Sequence, residues 1–280
     1  MRQPLIEYGG SGTPIHLAPA NSFPPDTYLP VIQPLTARHR VLCFPPRPLW
    51  PGMGAPPPAT GSWVEVGEDI IAGVLAHDLQ EVIAIGHSFG AVGSLVAVAR
   101  RPDRFRGLCL LDPTMVLPED ISRVYRTDEH GKKIHRLAEK SRQRRNEFAT
   151  HAEAFAYWRP KPLFSDWSDA ALLQYVRAAL RGNDDGSGYL LAWSPAWETY
   201  YYEAFNHECW QELERLDQAI PVLVVRGDTS HAFIPAAEAR FQAIRPTARC
   251  VVVPGQGHLF PQTAPELLQP ILADWIDHLK

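Results

Sequence analysis

Short apolar runs alternate with helix-like stretches along most of the chain. The runs are rich in Val, Leu and Ile, and each ends at or just before Pro, Gly or Asp: PIHLAP (14–19), RVLCF (40–44), EVIAIG (81–86), GLCLLD (107–112), PVLVVRG (221–227) and RCVVVPG (249–255). Between them the pattern predicts helices over 67–79, 89–100, 235–244 and 265–279. Strands that are apolar on both faces and separated by helices are typical of a mostly parallel sheet covered on both sides. The pattern therefore predicts an α/β fold.

The segment 113–217 interrupts this alternation. It has few strand-like runs, long helical patterns and a basic stretch over 121–147. Many aromatic residues follow: Phe155, Tyr157, Trp158, Phe164, Trp167, Tyr175, Tyr189, Trp193, Trp197, Tyr200, Tyr201, Tyr202, Phe205 and Trp210. We expect a helical cap here, inserted between the two parts of a core domain at 1–112 and 218–280.

We expect the cap to cover the binding site, because open parallel sheets bind ligands beyond the carboxyl ends of their strands. An aromatic insertion at that edge would roof the site and give it an apolar lining. Trp158 and Trp193 are therefore candidate substrate contacts. The alternative is that the aromatic residues only form the core of the insertion.

Composition and charge narrow the function classes. The chain has 280 residues, 45% hydrophobic and 21% charged residues and a formal net charge of −4, which gives no reason to expect binding to nucleic acid or a membrane. No apolar stretch approaches the roughly 18 residues of a membrane helix, and the N-terminus lacks a signal-peptide pattern. The cysteines are far apart and form no CxxC motif, so we expect a cytoplasmic protein with reduced thiols.

The stretch Gly86-His87-Ser88-Phe89-Gly90 fits G-x-S-x-G, in which a strand ends in a sharp turn and a helix begins. Such a turn lifts the serine hydroxyl out of the sheet. The two glycines are needed because a Cβ at either position would clash. The N-terminus of the following helix favours developing negative charge. Ser88 is therefore the candidate nucleophile, and His87 beside it is expected to pack or to line the pocket.

A serine nucleophile needs a base to take its proton. His258 follows the last apolar run and precedes the last predicted helix, so it lies on a loop at the same sheet edge as Ser88. The order serine first and histidine late is the one expected of this architecture. The sequence therefore predicts His258 as the base.

These features resemble the α/β-hydrolase superfamily over nearly the whole chain. The matching stretches are PANSFPPDTYLPVIQPL (19–35), GHSFG, LLDP (110–113), PVLVVRGDTS (221–230) and PGQGHLFPQTAPE (254–266). The chain is most similar to the bacterial capped hydrolases of lipase and esterase type. The resemblance implies an α/β-hydrolase fold, with Ser88 as nucleophile and His258 as base.

The resemblance also implies an oxyanion hole. In the family it uses the N–H of the residue after the nucleophile, here Phe89, and an N–H from an early loop where many members have H-G-F. This chain has Asn21-Ser22-Phe23 there, so Phe23 is the expected second donor and Asn21 a candidate substrate contact. Ser22 replaces the usual glycine.

The acid of the triad is left open between two aspartates. Relatives often carry R-G-x-x-S-D after the seventh strand of the family's sheet, which corresponds here to the run 221–227. In this chain His231 stands at the position of that aspartate. Asp228 lies three residues earlier. The other location of the acid in the family is the end of the sixth strand of the family's sheet. That strand corresponds here to the run 107–112, which ends at Asp112. We favour Asp112, keep Asp228 as the alternative, and leave open that neither serves.

We therefore predict a serine hydrolase that cleaves a small to medium, largely apolar carboxylic ester through an acyl-enzyme. Carbon–carbon bond hydrolysis of a diketone and acyl transfer use the same residues and remain alternatives. A non-catalytic ligand-binding protein on the same fold is a third. The expected partner is a small ester-like molecule, with no cofactor, no metal, no nucleic acid and no membrane; the oligomeric state is open.

Overall fold

A computed structural model describes residues 3–58, 61–127, 129, 133–204 and 208–279. The strands in chain order are β1 (Ile6–Gly9), β2 (Pro14–Ala18), β3 (Arg40–Cys43), β4 (Val82–His87), β5 (Phe105–Leu111), β6 (Tyr125–Thr127), β7 (Lys133–His135), β8 (Glu147–Phe148), β9 (Leu180–Gly182), β10 (Tyr189–Leu191), β11 (Val222–Gly227) and β12 (Arg249–Val253).

Helices lie on both faces of the largest sheet and in the segment 113–217. In chain order they are α1 (Leu29–Ile32), α2 (Val64–Ala76), α3 (Phe89–Arg100), α4 (Arg136–Arg142), α5 (His151–Trp158), α6 (Asp169–Ala179), α7 (Pro195–Glu203), α8 (Cys209–Arg215), α9 (Pro235–Ile244), α10 (Phe260–Thr263) and α11 (Pro265–Asp277). Short 3-10 turns lie at Pro25–Tyr28, Gln33–Ala37, Arg47–Leu49, Pro102–Arg104, Pro118–Arg123 and Pro162–Phe164.

The central sheet has seven strands in the order β1-β3-β2-β4-β5-β11-β12. Strand β1 is antiparallel to β3, and all other neighbours are parallel. The six predicted strands are the six parallel ones, so the predicted α/β-hydrolase fold class is confirmed. Strand β1 was missed because it is a short edge strand whose residues are at most half-buried, without an apolar run.

Alternate residues of the central strands contribute to two separate apolar clusters. In β4, Val82 and Ala84 pack with α2 and α3, whereas Ile83 and Ile85 pack on the opposite face with α11. Strand β5 shows the same alternation. This double burial explains why the sequence shows continuous apolar runs.

The segment 113–217, which the sequence predicts as a helical cap, contains α4 to α8 and also two small sheets that the sequence did not predict. One pairs β6 with β7, and the other has the order β8-β10-β9. The aromatic residues do not form a separate core. Trp193 belongs to the same cluster as Phe89, and Trp158 to the same cluster as Phe23, so the cap shares both apolar clusters with the main sheet. Phe205 lies outside the described residues.

Candidate active site

Ser88 occupies the junction between β4, which ends at His87, and α3, which begins at Phe89. Its backbone has φ +56° and ψ −115°, a region that non-glycine residues rarely adopt and that costs of order 1–3 kcal/mol. The turn is held by a hydrogen bond from the Ser88 N–H to the Leu111 carbonyl, 3.0 Å long. The strained turn therefore matches the nucleophile elbow that the sequence predicts.

The glycines around Ser88 are required by close backbone contacts. A Cβ at Gly86 would lie 2.5 Å from the Gly90 carbonyl oxygen, and a Cβ at Gly90 would lie 2.3 Å from the Ala18 carbonyl oxygen. Both distances are far shorter than van der Waals contact, and the opposing atoms belong to the backbone. The elbow thus packs too tightly for any side chain at these two positions.

His258 lies between β12 and α10 and faces Ser88. Its Nε2 atom is 2.9 Å from the Ser88 Oγ atom, within hydrogen-bonding distance. The His258 side chain is 30% exposed, whereas Ser88 is 8% exposed. The predicted nucleophile and base are therefore brought together from positions 170 residues apart.

Asp112, at the end of β5, completes the arrangement. Its Oδ2 atom is 3.0 Å from His258 Nδ1, and the residue is fully buried. Since the carboxylate only accepts, His258 Nδ1 carries the proton, and Nε2 is free to accept the Ser88 proton. Asp228 is exposed, and its backbone N–H donates to the Val253 carbonyl. The structure therefore brings Asp112, and not Asp228, to the histidine.

Thr114 is a further neighbour of the nucleophile that the sequence reading did not identify. Its Oγ1 atom is 3.0 Å from Ser88 Oγ, and its N–H donates to the Ser88 carbonyl at 3.4 Å. The only signal in the sequence is a hydroxyl residue two positions after Asp112, which by itself does not distinguish Thr114 from any other loop threonine.

The two expected oxyanion donors differ in their surroundings. The Phe89 N–H begins α3, and the described residues offer it no hydrogen-bond partner. The Phe23 N–H instead donates to the Ala20 carbonyl at 3.1 Å, closing a tight turn. The structure thus leaves Phe89 as an open donor, while Phe23 must share or release its bond to Ala20 to serve as the second one.

His87 takes part in a buried chain of hydrogen bonds. The Ala20 N–H donates to Tyr28 Oη at 2.9 Å, Tyr28 Oη lies 2.7 Å from His87 Nδ1, and His87 Nε2 lies 2.9 Å from the His258 carbonyl. Because a carbonyl only accepts, His87 Nε2 carries its proton and Nδ1 accepts the Tyr28 hydroxyl. Burial lowers the pKa of His87 well below its usual range, so the ring stays neutral.

This environment differs from the expectation that His87 contacts the substrate. The ring is fully buried and both nitrogens are occupied, so a substrate could reach it only by breaking the chain. His87 instead links the turn at Ala20 to the backbone of His258. The structure favours the packing interpretation that the sequence left open.

The other expected substrate contacts are also buried. Trp158 is 3% exposed and packs edge-on against Tyr175. Trp193 is 1% exposed and packs against Phe89. Trp158 thus packs on another aromatic residue of the segment 113–217, whereas Trp193 packs on a residue of the main domain. Asn21 is buried, and its Nδ2 donates to the backbone carbonyl of Glu198 in the cap at 3.1 Å.

A family model described as "Alpha/beta hydrolase family" matches residues 11–268. The chain belongs to this family. Among the residues that the structure describes, no group of three or more His, Cys, Asp and Glu side chains could hold a metal ion. Within the same residues, every helix is too short or too polar to cross a membrane.

This α/β hydrolase is similar to a curated 2-(acetamidomethylene)succinate hydrolase of Mesorhizobium japonicum, with 38% identity over 61 residues. The match spans only 22% of either chain. A crystal structure of E-2-(acetamidomethylene)succinate hydrolase superposes with a TM-score of 0.79 at 20% identity, covering 98% of this chain and 94% of the other. An esterase of M. tuberculosis superposes with a TM-score of 0.73 at 18% identity, covering 98% and 88%. At these identities the structural similarity shows the fold.

Proposed function

We propose that this α/β hydrolase is a serine hydrolase that cleaves a small to medium, largely apolar carboxylic ester through an acyl-enzyme. The observation that carries the proposal is the continuous hydrogen-bonded line from Ser88 Oγ to His258 Nε2 at 2.9 Å and from His258 Nδ1 to Asp112 Oδ2 at 3.0 Å. This arrangement supports a Ser-His-Asp triad with Ser88 as nucleophile, His258 as base and Asp112 as acid.

In the first half-reaction the Ser88 oxygen attacks the carbonyl carbon while His258 Nε2 takes the serine proton. Asp112 holds the imidazole in the required tautomer and stabilises the imidazolium that forms. The carbonyl oxygen becomes an oxyanion, which the Phe89 N–H and the α3 N-terminus stabilise. When the bond to the leaving group breaks, His258 gives its proton to the departing oxygen.

In the second half-reaction water attacks the acyl-enzyme and His258 takes a proton from it. The second tetrahedral intermediate then breaks its bond to Ser88 Oγ, and the proton returns to the serine. Thr114 Oγ1 lies 3.0 Å from this oxygen, close enough to donate a hydrogen bond to it as it leaves.

A second candidate reaction is amide hydrolysis. It is favoured by the curated relative, whose printed name gives it a substrate with an acetamido group. The chemistry is the same except that His258 must protonate a departing nitrogen. A panel of p-nitrophenyl esters and acyl anilides of matched acyl groups separates the two candidates by their kcat/KM values.

A fluorophosphonate probe tests the enzymatic proposal itself. We expect labelling of the wild type at Ser88, and loss of labelling and of ester turnover in Ser88→Ala and His258→Gln. His278→Gln is the matched control, because His278 is exposed and remote in the chain from the elbow. A folded wild-type protein with neither labelling nor turnover would instead support a non-catalytic ligand-binding protein.

A further inference from the structure

A buried polar cluster joins the cap to the turn that carries Phe23. It consists of Ser22, Arg144, Tyr175 and Glu198, and we call it the clasp. Arg144 Nη1 donates to Glu198 Oε2 at 2.6 Å and to Ser22 Oγ, and Arg144 Nη2 donates to the Tyr175 hydroxyl. Ser22 Oγ donates to Glu198 Oε2 at 3.1 Å. The Ser22 hydroxyl therefore donates to Glu198 and accepts from Arg144, the two members of one ion pair.

The members of the clasp come from separate parts of the fold. Arg144 lies between α4 and β8, Tyr175 lies on α6 and Glu198 lies on α7. Ser22 alone belongs to the core, in the turn that follows β2. A second bond joins the same elements, because Asn21 Nδ2 donates to the Glu198 backbone carbonyl at 3.1 Å. Three cap segments are thus fastened to one core turn.

The clasp is built from groups that need one another. Ser22, Tyr175 and Glu198 are buried, and the Arg144 side chain is 19% exposed. Removing one partner of a buried ion pair leaves a charge without compensation, which is strongly unfavourable. The Glu198 carboxylate neutralises the Arg144 guanidinium at 2.6 Å, so this arginine is already engaged within the protein.

Ser22 has a backbone conformation that favours glycine. Its φ is +67°, in the left-handed region. The related H-G-F pattern has glycine at this position, which adopts such a φ without a Cβ penalty. A serine in this conformation is less stable than a glycine because of its Cβ. Its hydroxyl, however, is hydrogen-bonded to Arg144 and Glu198.

The conformation of Ser22 determines where the Phe23 N–H points, because the Ser22 carbonyl and the Phe23 N–H belong to one peptide unit. We propose that Arg144 and Glu198 are positioning residues that fix the oxyanion turn through the Ser22 hydroxyl, so that the cap sets the geometry of the oxyanion hole. This inference rests on the proposed serine hydrolase function and on Phe23 as the second oxyanion donor, whose N–H then shares its 3.1 Å bond to the Ala20 carbonyl with the oxyanion.

The primary test compares Ser22→Gly with wild type. The variant keeps the left-handed conformation accessible and removes the side chain with its hydroxyl, whereas Ser22→Ala removes the hydroxyl alone. We expect kcat to fall about tenfold or more, because loss of an oxyanion donor typically lowers kcat 10²- to 10³-fold. KM should stay within about twofold. Inhibition by a trifluoromethyl ketone, whose serine adduct carries an oxyanion, should weaken by the same factor as kcat.

Glu198→Gln and Arg144→Gln should act through the same contact. Combining Ser22→Gly with Glu198→Gln should therefore cost little more than Ser22→Gly alone, since coupled residues are non-additive. Arg142→Gln is the matched control, because Arg142 lies in the same cap segment and pairs with Glu203 at the exposed surface. It should leave kcat and inhibition unchanged. If the ion-pair variants fail to fold, Ser22→Gly and Ser22→Ala still decide the question.

Three outcomes overturn the proposal. Ser22→Gly with wild-type kcat and wild-type inhibition by the trifluoromethyl ketone shows that the hydroxyl does not position the turn. Arg144→Gln that raises KM only for carboxylate-bearing substrates, at unchanged kcat, makes Arg144 a substrate-binding residue instead. A wild type that no fluorophosphonate labels overturns the proposed function as well, whereas labelled wild type with an unaffected Ser22→Gly overturns this inference alone.

Discussion

At the residue scale, backbone strain is concentrated around the candidate site. The described chain has five non-glycine residues with positive φ, and three of them are Ser22, Ser88 and Asp112. These are the residue before Phe23 in the proposed oxyanion turn, the proposed nucleophile and the proposed acid. Such conformations persist only where the surrounding structure over-determines them. Here the Ser88 and Asp112 N–H groups are each bonded to the carbonyl of a neighbouring strand, and the Ser22 side chain is bonded to the cap.

Substitution of the two candidate acids distinguishes their roles. Asp112→Asn should lower kcat by about 10⁴-fold, because the amide stabilises neither the required tautomer nor the imidazolium. Asp228→Asn is the matched control and should change kcat less than about twofold, since Asp228 is exposed and its side chain has no bond to His258. Steady-state kinetics on a p-nitrophenyl ester measures both. The reverse result would assign the acid to Asp228.

At the element scale, parallel strands bring the site together. Strands β2, β4 and β5 are neighbours in the sheet, and the turn at Ser22, the strained turn at Ser88 and the candidate acid Asp112 each follow the carboxyl end of one of them. His258 follows β12 at the same edge. Because parallel strands end on one side of the sheet, local loop sequences that are far apart in the chain become neighbours in space.

The packing of the elbow against β2 gives a prediction for this scale. Gly90→Ala should destabilise the protein by about 3 kcal/mol or more, because the new Cβ would lie 2.3 Å from the Ala18 carbonyl and backbone atoms relax little. Gly54→Ala is the control, since nothing lies within 4 Å of its Cβ position. Urea unfolding measures both. Equal midpoints for the two variants would contradict the close contact between α3 and β2.

At the scale of the whole molecule, the cap and the core form one packed body. Aromatic residues of the cap belong to both clusters that flank the sheet, and Trp63 Nε1 donates to the Tyr201 carbonyl of α7 at 2.6 Å. These contacts explain why the aromatic residues of the insertion are buried rather than arranged as an open lining.

Burial of neutral histidines makes the stability of the whole molecule depend on pH. Burial lowers the pKa of His16 to about 3 and that of His87 well below 6.5. Below about pH 6.5 the unfolded chain binds protons that the folded chain does not. The free energy of unfolding therefore decreases as the pH is lowered. Each histidine contributes up to about 1.4 kcal/mol per pH unit, and for His16 this continues to about pH 3.

Urea unfolding between about pH 7 and about pH 5 measures this effect. His16→Gln should show a smaller total decrease than wild type, by about 2 kcal/mol between these pH values, because glutamine does not titrate and its amide oxygen can accept the bond that Phe44 N–H gives to His16. His278→Gln is the exposed control. A pH dependence identical in wild type and His16→Gln would contradict the neutral buried state of His16.

The sequence by itself predicted the parallel strands, four of the helices, the sharp turn at Ser88 and His258 as its partner. The strands, the helices and the turn follow from local periodicity and from glycines that allow a tight turn, which can be read over short stretches, whereas His258 follows from chain order. Strand β1 was not predicted because it is a short, partly exposed edge strand without an apolar run.

Only the tertiary structure decided which aspartate faces His258, how Thr114 and His87 are bonded, and that the cap holds Ser22. Each of these contacts joins residues on different elements, and their side chains meet only when the sheet, the loops and the cap are packed together. An isolated Asp or Arg has the same local signature whether it is a solvated turn residue or a buried partner. The folded arrangement removes that ambiguity, because a buried charge is stable only beside the group that compensates it.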